Sequence, residues 1–335
     1  MNTWGLLTAT HAYARGGCGP SLRGTVAKFA CEKIKALNPD LLTLDIEMPR
    51  MDGLTFLEKL MCGHPMPVVM IYVLTAKGAD TTFRALSLGA VDYVSKPTVD
   101  VKNGTVEQAD EIVAKVKAAA WSKVRRPIEI APFTASHSKA CLFSATHKVV
   151  AIGASTGGTE ALKELLIPLP ADFPGTMIVQ HMPEAFTHQF AERLNALCKV
   201  RVKEAQDGDR ILPGHALLAP GGRHMAVVRK GMEYAVQVYR GERVNRHLRS
   251  VDVLFSSCAR QLGKNCLGVQ LTGMGADGAK GMVEMKQSAA FNIAQDESTC
   301  VVFGMPREAI QLNAVDQVLP LGQIPGALLR KLSAA

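Results

Sequence analysis

Residues 149–159 read V-V-A-I-G-A-S-T-G-G-T. Val149–Ile152 is a short apolar run of the kind a buried parallel strand uses, and Glu160–Leu166 carries helix-forming residues at helical spacing. Between them Gly153, Gly157 and Gly158 frame a sharp turn that presents one hydroxyl, Ser155. The stretch G-A-S-T-G satisfies G-x-S-x-G, in which a serine stands at the edge of a sheet with backbone N–H groups close to where an oxyanion would form. The competing reading is phosphate binding, since Gly-rich strand-to-helix turns often hold phosphate at the helix N-terminus. No G-K-[ST] closes the loop and the G-x-G-x-x-G spacing is missing, so neither nucleotide-binding motif is met.

Outward from this turn the pattern alternates. Downstream the sequence predicts helix Glu160–Leu166, strand Thr176–Gln180, helix Glu184–Leu197, a hairpin-rich part around Gly214–Arg240, helix Val251–Leu262, strand Cys266–Thr272, helix Ala279–Gln287 and strand Asn292–Ala294. Upstream it predicts helix Ala27–Leu37, strand Leu41–Leu44, helix Leu54–Cys62, strand Pro67–Val73, helix Thr81–Leu88 and strand Val91–Val94. Such alternation means parallel sheets covered by helices. Between the two regions lie a helix around Val106–Trp121 and a linker containing Arg125-Arg126-Pro127 and the run Thr134–His147. No internal repeat is present.

In doubly wound sheets the ligand crevice lies outside the carboxyl ends of the strands. Three residues fall there. Ser155 follows the first strand of the second region, His181 directly follows Thr176–Gln180, and Asp277 lies in G-M-G-A-D-G, residues 273–278, just after Cys266–Thr272. A serine hydroxyl at neutral pH needs a base beside it and a carboxylate to orient that base. The bland readings are a satisfied or surface histidine, with His188 and His247 as competitors, and an aspartate that merely caps the helix beginning near Gly278. Coincidence at three strand ends favours the catalytic reading. The order Ser, His, Asp differs from the Ser, Asp, His of the α/β-hydrolases.

Composition bounds the rest. With 335 residues, 47% hydrophobic and 20% charged, the chain is expected to form two domains. No apolar run is long enough to cross a bilayer, and the opening M-N-T-W-G-L-L-T-A-T-H lacks the pattern of a leader, so membrane insertion is not expected. Net charge is +8, but Lys and Arg are dispersed, which argues for a solvated surface over a nucleic-acid groove. The eight cysteines, at 18, 31, 62, 141, 198, 258, 266 and 300, form no C-x-x-C pair, as expected of reduced thiols in a cytoplasmic protein without a structural metal.

Four motifs in order, A-I-G-A-S-T-G-G at 151–158, I-V-Q-H-M-P at 178–183, L-T-G-M-G-A-D-G-A-K-G at 271–281 and I-A-Q-D-E-S-T-C-V-V-F-G-M-P-R-E-A at 293–309, make residues 148–329 resemble the catalytic domain of the bacterial chemotaxis protein-glutamate methylesterases, CheB. The resemblance implies Ser155 as nucleophile, His181 as general acid/base, Asp277 as orienting carboxylate, and the backbone amides of Thr156 and Met274 as the oxyanion hole. It implies hydrolysis of glutamyl methyl esters on methyl-accepting chemoreceptors, with deamidation of receptor glutamines at the same site and no cofactor for the ester chemistry. At 246–250 (R-H-L-R-S) and 288–291 (S-A-A-F) the chain departs from the proline and glycine common in the family.

The segment Asn38–Gly53, N-P-D-L-L-T-L-D-I-E-M-P-R-M-D-G, resembles a response-regulator receiver, with Asp45 as phospho-acceptor and Lys96, in V-S-K-P, as the lysine that neutralises the new phosphate. The implied phosphodonor is the chemotaxis histidine kinase, and the implied metal is Mg²⁺. Residues 1–23 depart from the pattern: they contain no Asp or Glu, so the acidic pair that would hold Mg²⁺ is absent and switching is expected to be impaired. Tyr72 stands where the family has a small hydroxyl residue. With the first receiver strand missing, the strand carrying Asp45 is expected to lose its neighbour and the receiver to be destabilised.

The expected organisation is therefore an α/β protein with two doubly wound parallel-sheet domains: an atypical segment 1–23, an incomplete flavodoxin-like receiver over 24–100, a helix and linker over 101–147, and a Rossmann-like methylesterase domain over 148–335. Two alternatives compete. A DNA-binding response regulator would need a helix-turn-helix with clustered basic residues in place of Gly-rich strand ends. A receiver-linked binding module without catalysis would bind receptors and release no methanol.

Overall fold

The structure is a computed structural model and describes residues 10–14, 17–22, 34–46, 52–72, 76–95, 105–122, 148–242, 244–245 and 249–333. The chain divides into two compact units, Met1–Ile128 and Glu129–Ala335.

The first unit holds strands β1 (Thr10–Ala14), β2 (Gly17–Leu22), β3 (Leu41–Asp45), β4 (Val68–Tyr72) and β5 (Asp92–Ser95), in the sheet order β2-β1-β3-β4-β5. The last three run parallel, with Leu42 opposite Val68 and Val69 opposite Asp92. Leu41, Leu42, Leu44, Val68, Val69 and Met70 are all fully buried, as continuous apolar runs in a covered parallel sheet should be. Helix Gly53–Gly63 begins where Asp52 accepts hydrogen bonds from Thr55 N (2.8 Å) and Thr55 Oγ1 (2.9 Å). Those bonds hold the Asp52 carboxyl below its ordinary value. Helix Thr105–Ala120 belongs to this unit, where Lys115 Nζ donates to Tyr93 O (3.1 Å).

One expectation is corrected here. The strand carrying Asp45 does not have an open edge: β1, from the atypical N-terminal segment, pairs with it antiparallel, with Tyr13 opposite Leu41 and His11 opposite Thr43. Strand β2 folds back antiparallel on β1 and becomes the edge. Pro20, which has no N–H to donate, lies in that edge strand beside a register shift between His11 and Tyr13, where the missing donor is tolerated. The first unit is thus a mixed sheet, three parallel strands capped by an antiparallel hairpin.

The second unit is built on a seven-stranded, wholly parallel sheet: β6 (Val149–Ala154), β7 (Thr176–Gln180), β8 (Arg201–Glu204), β9 (His215–Leu218), β12 (Cys266–Gln270), β13 (Phe291–Gln295) and β14 (Gln317–Leu319). Between β9 and β12 in the chain, β10 (His224–Lys230) and β11 (Glu233–Tyr239) form a separate antiparallel hairpin. The large sheet runs β14-β13-β12-β6-β7-β9-β8. Every residue of β6, β7 and β12 is buried. From β6 the chain moves first to one side, to β7, and later returns on the other side, to β12. This reversal of direction is the switch point at which open α/β sheets leave a crevice. Among the described residues no helix is long and apolar enough to cross a membrane.

Candidate active site

Strand register brings two of the three residues together. Ala154 of β6 is paired with Gln180 of β7, so Ser155 and His181 are the next residues on neighbouring strands, which run about 4.8 Å apart. His181 N donates to Ala154 O (3.1 Å), and Ser155 N donates across the other flank to Thr272 O (3.0 Å), beyond β12. The turn is closed by Gly158 N donating to Ser155 O (2.7 Å). Its left-handed residue is Gly157 (φ 77°), where a side chain would meet Val301 at 2.6 Å. Ser155 itself does not have positive φ.

Asp277, in the loop between β12 and helix Ala279–Gln287, reaches back to His181: Nε2 lies 2.9 Å from Oδ2. The imidazole is 9% exposed and the carboxylate 2%. Asp277 does not cap its own helix, whose first turn follows Gly278 without a side-chain cap. It caps a different one. Val251 N (2.7 Å) and Asp252 N (3.3 Å), at the start of helix Val251–Gln261, both donate to its oxygens. Ser250 Oγ (2.6 Å) and Asn245 Nδ2 (2.7 Å) complete the shell on Oδ1.

A buried carboxylate without donors would neutralise, but four donors and the positive end of a helix offset its desolvation. Burial pushes the Asp277 carboxyl up; the hydrogen bond and charge of His181, with Ser250 and Asn245, more than reverse this and hold it well below the usual carboxylate range. An ionised Asp277 can only accept, so Nε2 carries a proton, and in the neutral imidazole the lone pair is then on Nδ1. Asn245 also donates to Asp252 Oδ2 (2.6 Å), so one amide group joins two buried carboxylates. Burial raises the Asp252 carboxyl; the Gly281 N–H bond opposes this, and the Asp277 charge adds to the rise.

The loop from Gly273 supplies the other amides. Gly273 N donates to Val302 O (3.1 Å), while Gly304 N and Met305 N both donate to Gly273 O. Among the described residues the Met274 N–H has no acceptor. Thr156 is buried, and its carbonyl lies 3.0 Å from Thr272 Oγ1. That hydroxyl also accepts from Val301 N and Val302 N, pinning the loop after β13 to the serine turn.

Of the competing histidines, His188 is exposed on helix Glu184–Leu197 beside Glu192 and Glu204, and His247 lies outside the described residues. The sequence reading missed Asn245 and Ser250. Ser250 bears the signature of a helix N-cap, yet its side chain makes no capping bond and turns to Asp277.

Family comparison agrees with this architecture. The family model for CheB methylesterase matches residues 150–328, and that for the response regulator receiver domain matches residues 25–103. The chain belongs to the CheB methylesterase family. It is 55% identical over 307 residues to "Protein-glutamate methylesterase/protein-glutamine glutaminase 1" of Geobacter metallireducens, spanning 89% of this chain and 85% of that protein. It is 53% identical over 311 residues to the protein-glutamate methylesterase/protein-glutamine glutaminase of Nitrosomonas europaea, spanning 91% of this chain and 87% of that protein. The CheB methylesterase catalytic domain of Thermotoga maritima superposes with a TM-score of 0.54 at 37% identity, covering 55% of this chain and 98% of that domain. Like its CheB relatives, the chain is a hydrolase with a receiver domain, and the DNA-binding alternative falls away.

In the receiver, Asp45 ends β3 and is 1% exposed; Lys96 lies outside the described residues. Tyr72 is buried, its ring edge-on to Tyr93 at 5.7 Å. A Mg²⁺ ion beside Asp45 would need further hard oxygen ligands. The strand paired with β3 on that side, β1, contains no Asp or Glu, and among the described residues no three His, Cys, Asp or Glu side chains group to hold a metal.

Proposed function

We propose that this chain hydrolyses glutamyl methyl esters on methyl-accepting chemoreceptors, with Ser155, His181 and Asp277 as a catalytic triad. The supporting observation is the 2.9 Å contact of His181 with a buried, ionised Asp277 at the strand end beside Ser155. Ser155 Oγ attacks the ester carbonyl while His181 Nδ1 takes its proton. The Met274 and Thr156 amides receive the oxyanion. The tetrahedral intermediate collapses, and His181 returns the proton to the departing methoxide as methanol. Water activated by the same imidazole then attacks the acyl-enzyme, restoring Ser155 and leaving a glutamate carboxylate. Asp277 holds the ring and stabilises the imidazolium formed in each half. Deamidation of a receptor glutamine passes through the same oxyanion and releases ammonia instead. The test is methanol release from a methylated receptor: the wild-type chain should turn over and Ser155→Ala should not, while retention of activity in Ser155→Ala would remove the serine mechanism.

We infer also that phosphorylation by the chemotaxis kinase is a weak switch in this chain. The acid-free strand beside Asp45 supports this reading. Turnover measured with and without a small phosphodonor and Mg²⁺ should differ little. Strong stimulation that disappears in Asp45→Ala would overturn it.

A further inference from the structure

Gln180, the last residue of β7, is 3% exposed, and its amide sits between the nucleophile and the base. Nε2 donates to Ser155 O (2.9 Å) and to His181 O (3.1 Å). These two carbonyls belong to residues on different strand ends, held by one NH₂ group. The orientation is set by chemistry: the opposite amide flip would aim Oε1 at two carbonyl oxygens and repel both. The surroundings are shaped to it as well. A Cβ added at Gly158 would come 2.1 Å from Gln180 Oε1 and 2.7 Å from the Ala154 Cβ, so the second glycine of T-G-G leaves the space that the amide occupies.

We propose that Gln180 is a positioning residue that fixes the spacing between Ser155 and His181, a proposal that rests on the triad reading above. Backbone bonding between the two strands ends where His181 N donates to Ala154 O (3.1 Å), one step past the last register pair, Ala154 and Gln180. Gln180 extends the pairing by one residue through a side chain, spanning the gap where the reacting groups begin. Its two bonds bear on the residues whose relative placement governs proton transfer, and displacement of a reacting group by about 1 Å costs roughly 10²-fold in rate.

A matched control exists in the same domain. Asn292 in β13 is equally buried, and its Nδ2 also donates to two backbone carbonyls, Met282 O and Ala314 O (2.8 Å each), neither of which belongs to a residue with a reacting group. In the full chain, Gln180→Met, which keeps the length of the side chain and removes both donors, is compared with Asn292→Leu and Ser155→Ala. The readouts are kcat and KM for methanol release from a methylated receptor, the rate of covalent labelling by a fluorophosphonate probe, and thermal midpoint. Gln180→Met should lower kcat and labelling by about 10- to 100-fold with KM within about twofold. Asn292→Leu should lower the midpoint while leaving kcat of the folded protein within about twofold. Gln180→Glu, with a similar shape and no donor toward the carbonyls, should behave as Gln180→Met does. The proposal is overturned if Gln180→Met turns over at the wild-type rate while Ser155→Ala is dead, or if Asn292→Leu loses as much kcat as Gln180→Met. Hydrolysis and labelling that persist in Ser155→Ala overturn the triad reading and this proposal together.

Discussion

Ser250 Oγ lies 2.6 Å from Asp277 Oδ1, a hydrogen bond between the residue before one helix and the loop that opens another. It stabilises the ionised carboxylate above all, because a hydroxyl that donates gains most from a charged acceptor. Ser250→Ala should therefore cost about 1.5–3 kcal/mol at neutral pH. The sign follows from linkage. Asp277 has a depressed folded value, so its contribution is present above the ordinary carboxylate value of 3.8 and is lost as pH falls through the folded value. The stability gap between wild type and Ser250→Ala should hold from pH 7 to about 5 and narrow below about pH 4. Urea unfolding across that range checks it; a gap that stays constant into acid would show that the bond does not act through the charge.

Gly273 packs against Ser155. A Cβ added there would stand 2.7 Å from the Ser155 Cβ and 2.3 Å from Met305 Sδ. Both contacts are too close for a real Cβ, so the buried Met305 side chain and the serine must both shift. Gly273→Ala should lose about 1–3 kcal/mol through overpacking and about 10²-fold in kcat through misplacement of the hydroxyl. Gly63→Ala is the control, because a Cβ there meets nothing within 4 Å. It should leave methanol release unchanged and raise stability by about 0.4–1 kcal/mol. Equal kcat in Gly273→Ala and wild type would mean that the serine turn tolerates what the packing forbids.

Burial separates the thiols in the same way. Desolvation pushes the Cys198 thiol up to about 11, while Cys62 is exposed on helix Gly53–Gly63. The thiolate is the species that alkylates, so at pH 8 the folded chain should label at Cys62 and only slowly at Cys198, with Cys258, Cys266 and Cys300 protected by burial. Peptide mapping after iodoacetamide treatment reads this directly. Labelling of Cys198 as fast as Cys62 would contradict the desolvation that raises its thiol.

The parts legible in the sequence were those with strong local signals. Thr176–Gln180, Glu184–Leu197 and Ala279–Gln287 have the predicted bounds, because each joins a clear apolar period to a definite start or stop. Strand Gln317–Leu319 has three residues and helix Met305–Gln311 seven, too short for periodicity to register. The hairpin Thr10–Leu22 was hidden because its pairing partner, β3, belongs to a pattern normally completed by a parallel strand. At the site, Ser155, His181 and Asp277 follow strands, where topology gives position a meaning. Asn245 and Ser250 do not: they come from the connection between a hairpin and a helix, and only the fold brings them to Asp277.

Ala289 is the place where sequence departure and backbone geometry meet. It lies just past helix Ala279–Gln287 with φ 65°, the left-handed region that favours glycine. Its N–H donates to Lys286 O (3.0 Å), and Ala290 N donates to Met285 O (2.9 Å), so the turn that closes the helix requires this conformation and cannot relax out of it. An alanine there costs about 1–2 kcal/mol relative to a residue without Cβ, partly offset by the greater freedom of glycine in the unfolded chain. Ala289→Gly should therefore stabilise the second unit by about 1 kcal/mol. The turn lies away from Ser155, His181 and Asp277, so kcat should not change. Urea unfolding monitored alongside methanol release checks both halves: a loss of stability would mean that the alanine methyl contributes more by packing than its backbone strain removes.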